Sequence, residues 1–581
     1  MSDLRSEINL RLLLWRGLLL FSLLFLAGSL YFFQIIHADA YVRLAANNRL
    51  RFIRFAPIRG EIFDRNGVPL ATNVTTFDIM GYPLDIERGD MVEHLARLLS
   101  RHGIPLSAED LRRDVRKQFW APYRVVRIVS NITLAQMADL VADPEFPRQL
   151  FPLPVWRRTY PAGAIVANVT GFVGEISESE LRQMEGKNYV GGDQIGKSGI
   201  ERQYESVLRG EPGEESVEVD ARGRKVREID ARPAGRGEDL HLTLDLGAQR
   251  LATDLLKDYR GAFVVMDVNN GDIIVLHSSP SYDNNPLSWG VSSREWNKLL
   301  SDPQRPMLDR SIAGLYPPAS TFKILVGLAA LVEKEVIPAT TYYCSGAFRL
   351  GTRTFRCWKR SGHGTMNLVA ALQHSCDVYF YQVGLKLGIT RLLKWVELFG
   401  LGKPTGIDLP GEAGGVVAGP DWKRARFKEA WYPGDTVNYS IGQGFLLTTP
   451  LQLATMYAVI ANGGKLVRPR LAQERSVQTA DLHLSPVHMD IIRKGLDYVV
   501  RRGTARQAGV FGITVAGKTG TAQNAHGDDH ALFVGYAPMD NPKYVAAVML
   551  EAGLHGGSVA SPMVGEMLSY LLVPEFRVKN P

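Results

Sequence analysis

The stretch Pro317-Pro318-Ala319-Ser320-Thr321-Phe322-Lys323 decides how the rest of the chain is read. Two prolines close the segment before it and an apolar run opens after Lys323, so a serine and a lysine stand three apart at the start of a helix. That spacing sets both side chains on one helix face. A serine hydroxyl is a weak nucleophile that needs a base within hydrogen-bond reach, and a neutral lysine amine supplies one. The positive end of the helix also favours negative charge developing at Ser320. Alone, the pair recurs in ordinary helices, and its weight rests on what stands further along.

His374-Ser375-Cys376-Asp377 precedes the helical run Val378 to Leu387, where Ser375 by itself reads as an N-cap. Lys518-Thr519-Gly520-Thr521 follows the strand-like Ile513 to Gly517. Strand alternation turns Lys518 and Gly520 to one side, a cation beside a position where a substrate backbone can approach closely. Taken in order, the three follow the pattern Ser-x-x-Lys, Ser-x-Asn, Lys-Thr-Gly, and the chain resembles penicillin-binding proteins and serine β-lactamases. Arg59-Gly60-Glu61-Ile62-Phe63-Asp64-Arg65-Asn66-Gly67, Arg158-Thr159-Tyr160-Pro161, Gly171-Phe172-Val173-Gly174 and Gly199-Ile200-Glu201 through Leu208 to Gly210 resemble the non-catalytic domain of class B penicillin-binding proteins. Ser440-Ile441-Gly442-Gln443-Gly444 and Thr449-Pro450-Leu451-Gln452 resemble a transpeptidase segment. Within class B, Asp377, Tyr379-Phe380-Tyr381-Gln382 and Asp529-His530-Ala531 are most similar to penicillin-binding protein 2, the elongation-specific branch.

The resemblance implies a monofunctional peptidoglycan D,D-transpeptidase. In it Ser320 attacks the carbonyl between the two terminal D-alanines of a stem peptide, D-alanine leaves, and a second stem peptide takes the acyl group. It assigns Lys323 as acylation base, Ser375 as proton relay, and Lys518, Thr519, Gly520 and Thr521 to the donor's terminal carboxylate and backbone. The backbone N–H groups of Ser320 and Thr521 are the candidate oxyanion hole. Asp377 is a substrate-site candidate that departs from the wider pattern, because a carboxylate cannot donate a hydrogen bond as an amide does. Lys518 and partial burial are expected to lower the pKa of Lys323. β-Lactams become slow pseudo-substrates, and the strands to be cross-linked come from a polytopic glycan polymerase. Against the lactamase alternative, nothing marks a glutamate that would activate a deacylating water.

All three cysteines, Cys344, Cys357 and Cys376, fall in one region with His363 among them. Cys-x12-Cys-x5-His-x12-Cys is compatible with a closed structural zinc site, although it matches no common finger. A disulfide between Cys344 and Cys357 with a buried Cys376 is the other reading, given an oxidising compartment. No cofactor is needed for the chemistry. His526 and His530 read as residues of the cleft edge or surface.

Away from these motifs, Gly17 to Ile36 carries no charge and is long enough to cross a hydrocarbon core of roughly 30 Å. Arg5, Arg11 and Arg16 precede it, which puts the tail in the cytoplasm and the remainder outside the inner membrane. Ala38-Asp39-Ala40 offers the alternative of a cleaved signal peptide, which the long apolar stretch and Tyr31, Phe32 and Phe33 argue against. The expected organisation is a tail at 1–16, a membrane helix at 17–36, an elongated β-rich pedestal of the dimerisation type at 37–235, a transpeptidase domain at 236–575 and a short tail at 576–581. Hairpin and strand patterns at Gly261 to His277, Gly512 to Thr521, Ala531 to Ala537 and Tyr544 to Glu551 flank a helical middle, which implies an α/β (α+β) domain on an antiparallel sheet. The chain has 581 residues and a formal charge of +7, with basic and acidic residues interleaved, so nucleic-acid binding is not expected.

Overall fold

The computed structural model describes residues 2–38, 50–86, 90–117, 125–219, 225–524, 527–553 and 555–579. The chain forms two compact units. The first comprises residues 1–58, 75–156 and 210–236, and the second comprises 59–74, 157–209 and 237–581.

In the first unit, helix Ser2–Tyr31 runs into a wide turn, Phe32–Ile36. Its stretch Arg11–Ile36 has a mean hydropathy of 2.1 with none of it buried against protein, the property of a segment that needs an apolar solvent. Three antiparallel strands, in the order Leu50–Phe55, Gly213–Val219 and Lys225–Arg232, form a separate sheet. The Gly- and charge-rich 210–237 stretch is therefore largely a hairpin. A small core of Ile79, Leu95, Leu98, Leu99, Leu111 and Val129 holds helices Met91–Arg101 and Ala108–Lys117 against strand Val126–Ile132. Helices thus accompany the strands here.

The second unit contains the main sheet, with strands β1 (Gly261–Asp267), β2 (Ile273–Ser279), β3 (Ala516–Ala522), β4 (His530–Ala537) and β5 (Tyr544–Leu550). They lie in the order β2-β1-β5-β4-β3, every neighbouring pair antiparallel. Both faces are covered, which is why β1 and β5 read as nearly continuous apolar runs. Alternation divides them: Val264, Met266, Leu532, Val534 and Ala547 join one core, while Phe263, Val265, Phe533, Ala546 and Val548 join the other. Helix α1 (Leu246–Leu255) and the near-terminal α6 (Ser561–Leu572) cover the second face. On the first lie α2 (Lys323–Val332), α3 (Asp377–Leu398, kinked at Gly388), α4 (Pro450–Ala461) and α5 (Pro486–Arg502). α2 and α4 are apolar on all sides because they are buried on all sides.

The middle of the domain is less helical than its sequence suggests. Between α2 and the helix Leu368–Gln373, two small hairpins form: Tyr342–Cys344 with Gly364–Met366, and Ala347–Leu350 with Arg353–Arg356. The strands have three or four residues each, too few for a period-two pattern to emerge.

Within the same unit, Glu201 is fully buried between two arginines, with Arg59 Nε 2.5 Å and Arg158 Nε 2.6 Å from its oxygens. Arg59 also reaches Glu205 at 2.7 Å. The arginines draw the Glu201 carboxyl below its usual range against the opposing effect of burial. Residues in three of the sequence stretches quoted above thus meet at one carboxylate.

Candidate active site

Ser320 sits in a tight helical turn, Ala319–Phe322, and the regular helix α2 begins only at Lys323. Ala319, before the serine, has φ of +50°, a left-handed conformation that is costly for a side-chain-bearing residue. Gly442 allows this: its N–H···O partner geometry brings Ala319 N to the Gly442 carbonyl at 2.8 Å, and a Cβ on Gly442 would fall 2.2 Å from Ala319 O. Behind the turn, Tyr457 of α4 donates to the Thr321 carbonyl at 2.9 Å.

Ser375 is also left-handed, with φ of +52°, and is not an N-cap, since Cys376 occupies that position before α3. Its hydroxyl receives two ammonium or amine groups, Lys518 Nζ at 2.9 Å and Lys323 Nζ at 3.3 Å. Lys323 further donates to the Ser375 carbonyl at 2.9 Å and to Asp377 Oδ1 at 2.6 Å. Both lysines are fully buried. Burial, together with the charge of Lys323, holds Lys518 well below the usual lysine range. Lys323 has a carboxylate partner, while Lys518 has hydroxyl and carbonyl acceptors only.

Asp377 answers its own departure from the motif. As the first residue of α3 it accepts Lys323 on Oδ1, while Oδ2 accepts the backbone N–H of Trp358 at 2.9 Å. An acceptor-only group suits two donors. Strand β3 carries the third motif: Lys518 points inward, Thr519 shares a 2.7 Å hydroxyl contact with Thr504, and a Cβ on Gly520 would press on Thr321 Cγ2 at 3.1 Å. Gln443 donates to the Thr521 carbonyl at 3.4 Å. The fold thus gathers all eight residues read from sequence as catalytic or substrate-binding around one turn. Trp358 and Thr504 were not foreseen, because Trp358 acts through its backbone and no motif marks Thr504. His530 lies on β4, accepting Ala552 N–H at 3.2 Å, and His526 falls outside the described residues.

The cysteines and His363 also meet. Ligand atoms of Cys344, Cys357, His363 and Cys376 all lie within 4.8 Å of one another, and the three thiols are buried and unbridged. His363 Nδ1 is 3.6 Å from Cys344 Sγ and 3.6 Å from Cys357 Sγ. The thiol–thiol hydrogen bond with Cys376 pulls the Cys357 pKa down and raises that of Cys376. Cys357 precedes Trp358 and Cys376 precedes Asp377, the two residues whose backbone N–H and carboxylate meet at 2.9 Å.

Comparison with known proteins agrees with this geometry. Residues 261–569 match the model of the penicillin-binding protein transpeptidase domain, and residues 54–242 match that of the penicillin-binding protein dimerisation domain. The peptidoglycan D,D-transpeptidase MrdA of Haemophilus influenzae is 35% identical over 98% of this chain and 93% of its own length. The penicillin-binding protein PBP2 of Helicobacter pylori, solved in complex with MreC, superposes with a TM-score of 0.81 at 32% identity, covering 90% of this chain and all of that one. A chain from a solved peptidoglycan synthase complex, described as coordinating polymerization and crosslinking, matches with a TM-score of 0.75 at 29% identity, covering 96% of this chain and 98% of that one. With its three motifs around one turn and both family regions in sequence, the chain belongs to the penicillin-binding proteins that join a dimerisation domain to a transpeptidase domain.

Proposed function

We infer that the protein is a monofunctional peptidoglycan D,D-transpeptidase of cell elongation, acting through an acyl-enzyme on Ser320. The observation that carries the reading is the single hydroxyl of Ser375 shared by Lys518 and by Lys323, which stands three residues after Ser320 at a helix start. Lys323 acts as base in its neutral form, and the Ser375 hydroxyl links it to the Lys518 amine. Ser320 Oγ then adds to the carbonyl of the penultimate D-alanine as its proton passes to Lys323. Collapse of the adduct breaks the D-Ala–D-Ala amide, Ser375 hands a proton to the departing amine, and D-alanine leaves. The amine of a second stem peptide attacks the ester, giving the cross-link and restoring the serine. Thr519 and Thr521 hold the donor carboxylate, with Gly520 admitting its backbone, and the N–H groups of Ser320 and Thr521 stabilise the oxyanion. Lys518, fully buried, bonds the Ser375 hydroxyl and sets its orientation toward the leaving group.

The N-terminal apolar helix anchors the protein in the inner membrane. Arg5, Arg11 and Arg16 favour a cytoplasmic tail and an outer catalytic domain. Its strands come from a polytopic glycan polymerase, a reading supported by the likeness to the peptidoglycan synthase complex. β-Lactams acylate the same serine.

Cys344, Cys357, His363 and Cys376 form a set that suits zinc. Tetrahedral zinc with bonds of about 2.3 Å to sulfur and 2.0 Å to nitrogen sets sulfur–nitrogen edges near 3.5 Å; the edges from His363 to Cys344 and Cys357 are 3.6 Å, within a set whose ligand atoms lie up to 4.8 Å apart. Bound there, the ion supplies a structural cross-link between the hairpin region and the start of α3, with no part in the acyl transfer.

Incubation of the purified full chain with uncross-linked peptidoglycan strands tests the reading. Release of D-alanine in step with cross-linked dimers is expected. Release without dimers, or neither product alongside a normal polymerase supply, contradicts it.

A further inference from the structure

Six aromatic rings run in contact from the catalytic turn to the surface. Phe322 meets Tyr439 with centroids 5.9 Å apart, Tyr439 meets Trp431 at 6.1 Å, and Trp431 meets Phe445 at 6.3 Å. Phe445 then meets Trp422 and Phe427, each at 5.5 Å, and these two touch each other at 5.7 Å. The inner pair is buried, but Trp422 is 37% exposed, Phe427 48% and neighbouring Tyr432 56%. Large aromatic side chains carry most of the contact energy of recognition surfaces when they are open and held rigid. Phe445, on which Trp422 and Phe427 pack, is braced together with Tyr432: the ammonium of buried Lys423 lies 4.7 Å from the Tyr432 ring and 5.8 Å from the Phe445 ring, and is pinned by Asp435 at 2.7 Å.

Two features say what the shelf faces. It is continuous with the catalytic centre, because Phe445 follows Gly444 and Gln443, whose amide bonds Thr521 on β3. It is also mildly cationic at its rim, where exposed Arg424, Arg426 and Lys428 outnumber exposed Asp421 and Glu429, buried Lys423 being matched by Asp435. A polymer of sugar rings bearing peptide carboxylates presents flat faces for the rings and anions for the rim. We propose that Trp422 and Phe427, rimmed by Arg424, Arg426 and Lys428, form a subsite that holds a stretch of peptidoglycan beside the acyl-transfer centre. The proposal rests on the transpeptidase reading above and names where its polymer is gripped outside the reacting peptide bond.

The test is co-sedimentation of the full-length protein in detergent with purified insoluble peptidoglycan, each preparation normalised to the fraction that a fluorescent penicillin labels, so that only correctly assembled catalytic centres are counted. Trp422→Ala with Phe427→Ala should weaken polymer binding about tenfold. Arg426→Glu with Lys428→Glu, on side chains that lie outside the ring contacts, should weaken it comparably, and added salt should erase the difference between this pair and the parent. In cross-linking, both pairs should raise KM and leave kcat little changed. Polymer affinity equal to the parent's in both pairs overturns the subsite. If the parent takes no penicillin label, the transpeptidase reading fails. A labelled parent beside unaltered variants removes the shelf alone.

Discussion

Lys323 Nζ lies 2.6 Å from Asp377 Oδ1, an ion pair buried at the centre of the catalytic cluster. Removing one partner of such a pair strands the other charge, which costs about 3–5 kcal/mol. Asp377→Ala should therefore lower the unfolding midpoint sharply and slow acylation. Asp377→Asn keeps an acceptor oxygen for Lys323 and should fall between the two. Equal stability of Ala variant and parent in urea unfolding would show that the pair contributes nothing net.

Benzylpenicillin should add to Ser320 and nowhere else, as read by peptide mapping. Ser320→Ala should abolish the adduct with the melting temperature kept. Lys323→Arg should keep a cation but lose acylation, because arginine stays protonated and cannot take the serine proton. Acylation of that variant at a rate near the parent's would move the base elsewhere, Lys518 through Ser375 being the next group in line.

Stability should depend on pH through Lys518. Its folded pKa is well below the usual range, whereas in the unfolded chain it titrates near about 10.4. Between those values the unfolded chain binds more protons, so this lysine makes the protein more stable as pH rises across that window and less stable as it falls. Urea midpoints measured through the window should climb with pH, and Lys518→Met should flatten the climb. A slope unchanged by the substitution would mean that the folded protein bears this charge without penalty.

Glu201→Ala would take the carboxylate from Arg158 and leave Arg59 with Glu205 alone, a loss of about 3–5 kcal/mol. Thermal unfolding should show it while the penicillin-labelled Ser320 fraction at low temperature persists. Glu201→Gln should recover part of the loss by accepting one hydrogen bond from either arginine.

Protein purified without added metal should carry one equivalent of zinc, with three thiols becoming titratable only after chelation. Chelation should also slow acylation, since Trp358 N–H and Asp377 are each one residue from a cysteine of the cluster. Metal-free protein with a Cys344 to Cys357 disulfide would end the zinc assignment.

Much of the architecture was legible because its signals are local. The hairpin of β1 and β2 shows in Asn269-Asn270-Gly271-Asp272 between apolar runs, and β3 to β5 in their β-branched stretches. The small hairpins around Cys344 and Cys357 were not, their strands being too short to carry a period. The role of Asp377 was hidden for another reason: a carboxylate in place of an amide makes sense only once Trp358 N–H and Lys323 are seen to converge on it. Likewise, the depression of Lys518 is a matter of burial and of its neighbours, and a motif names neither.

The strand order β2-β1-β5-β4-β3 has a consequence in time. β1 finds its second neighbour only in β5, and the lysine facing Ser375 arrives on β3, so the catalytic turn is synthesised long before the elements that complete it. Pairings this distant in sequence form late. A growing chain that has exposed Ser320 carries an unarmed serine, and acyl transfer switches on only when the last strand of the sheet has been delivered. Chains cut short before β5 are thus expected to be inert toward their substrate rather than weakly active.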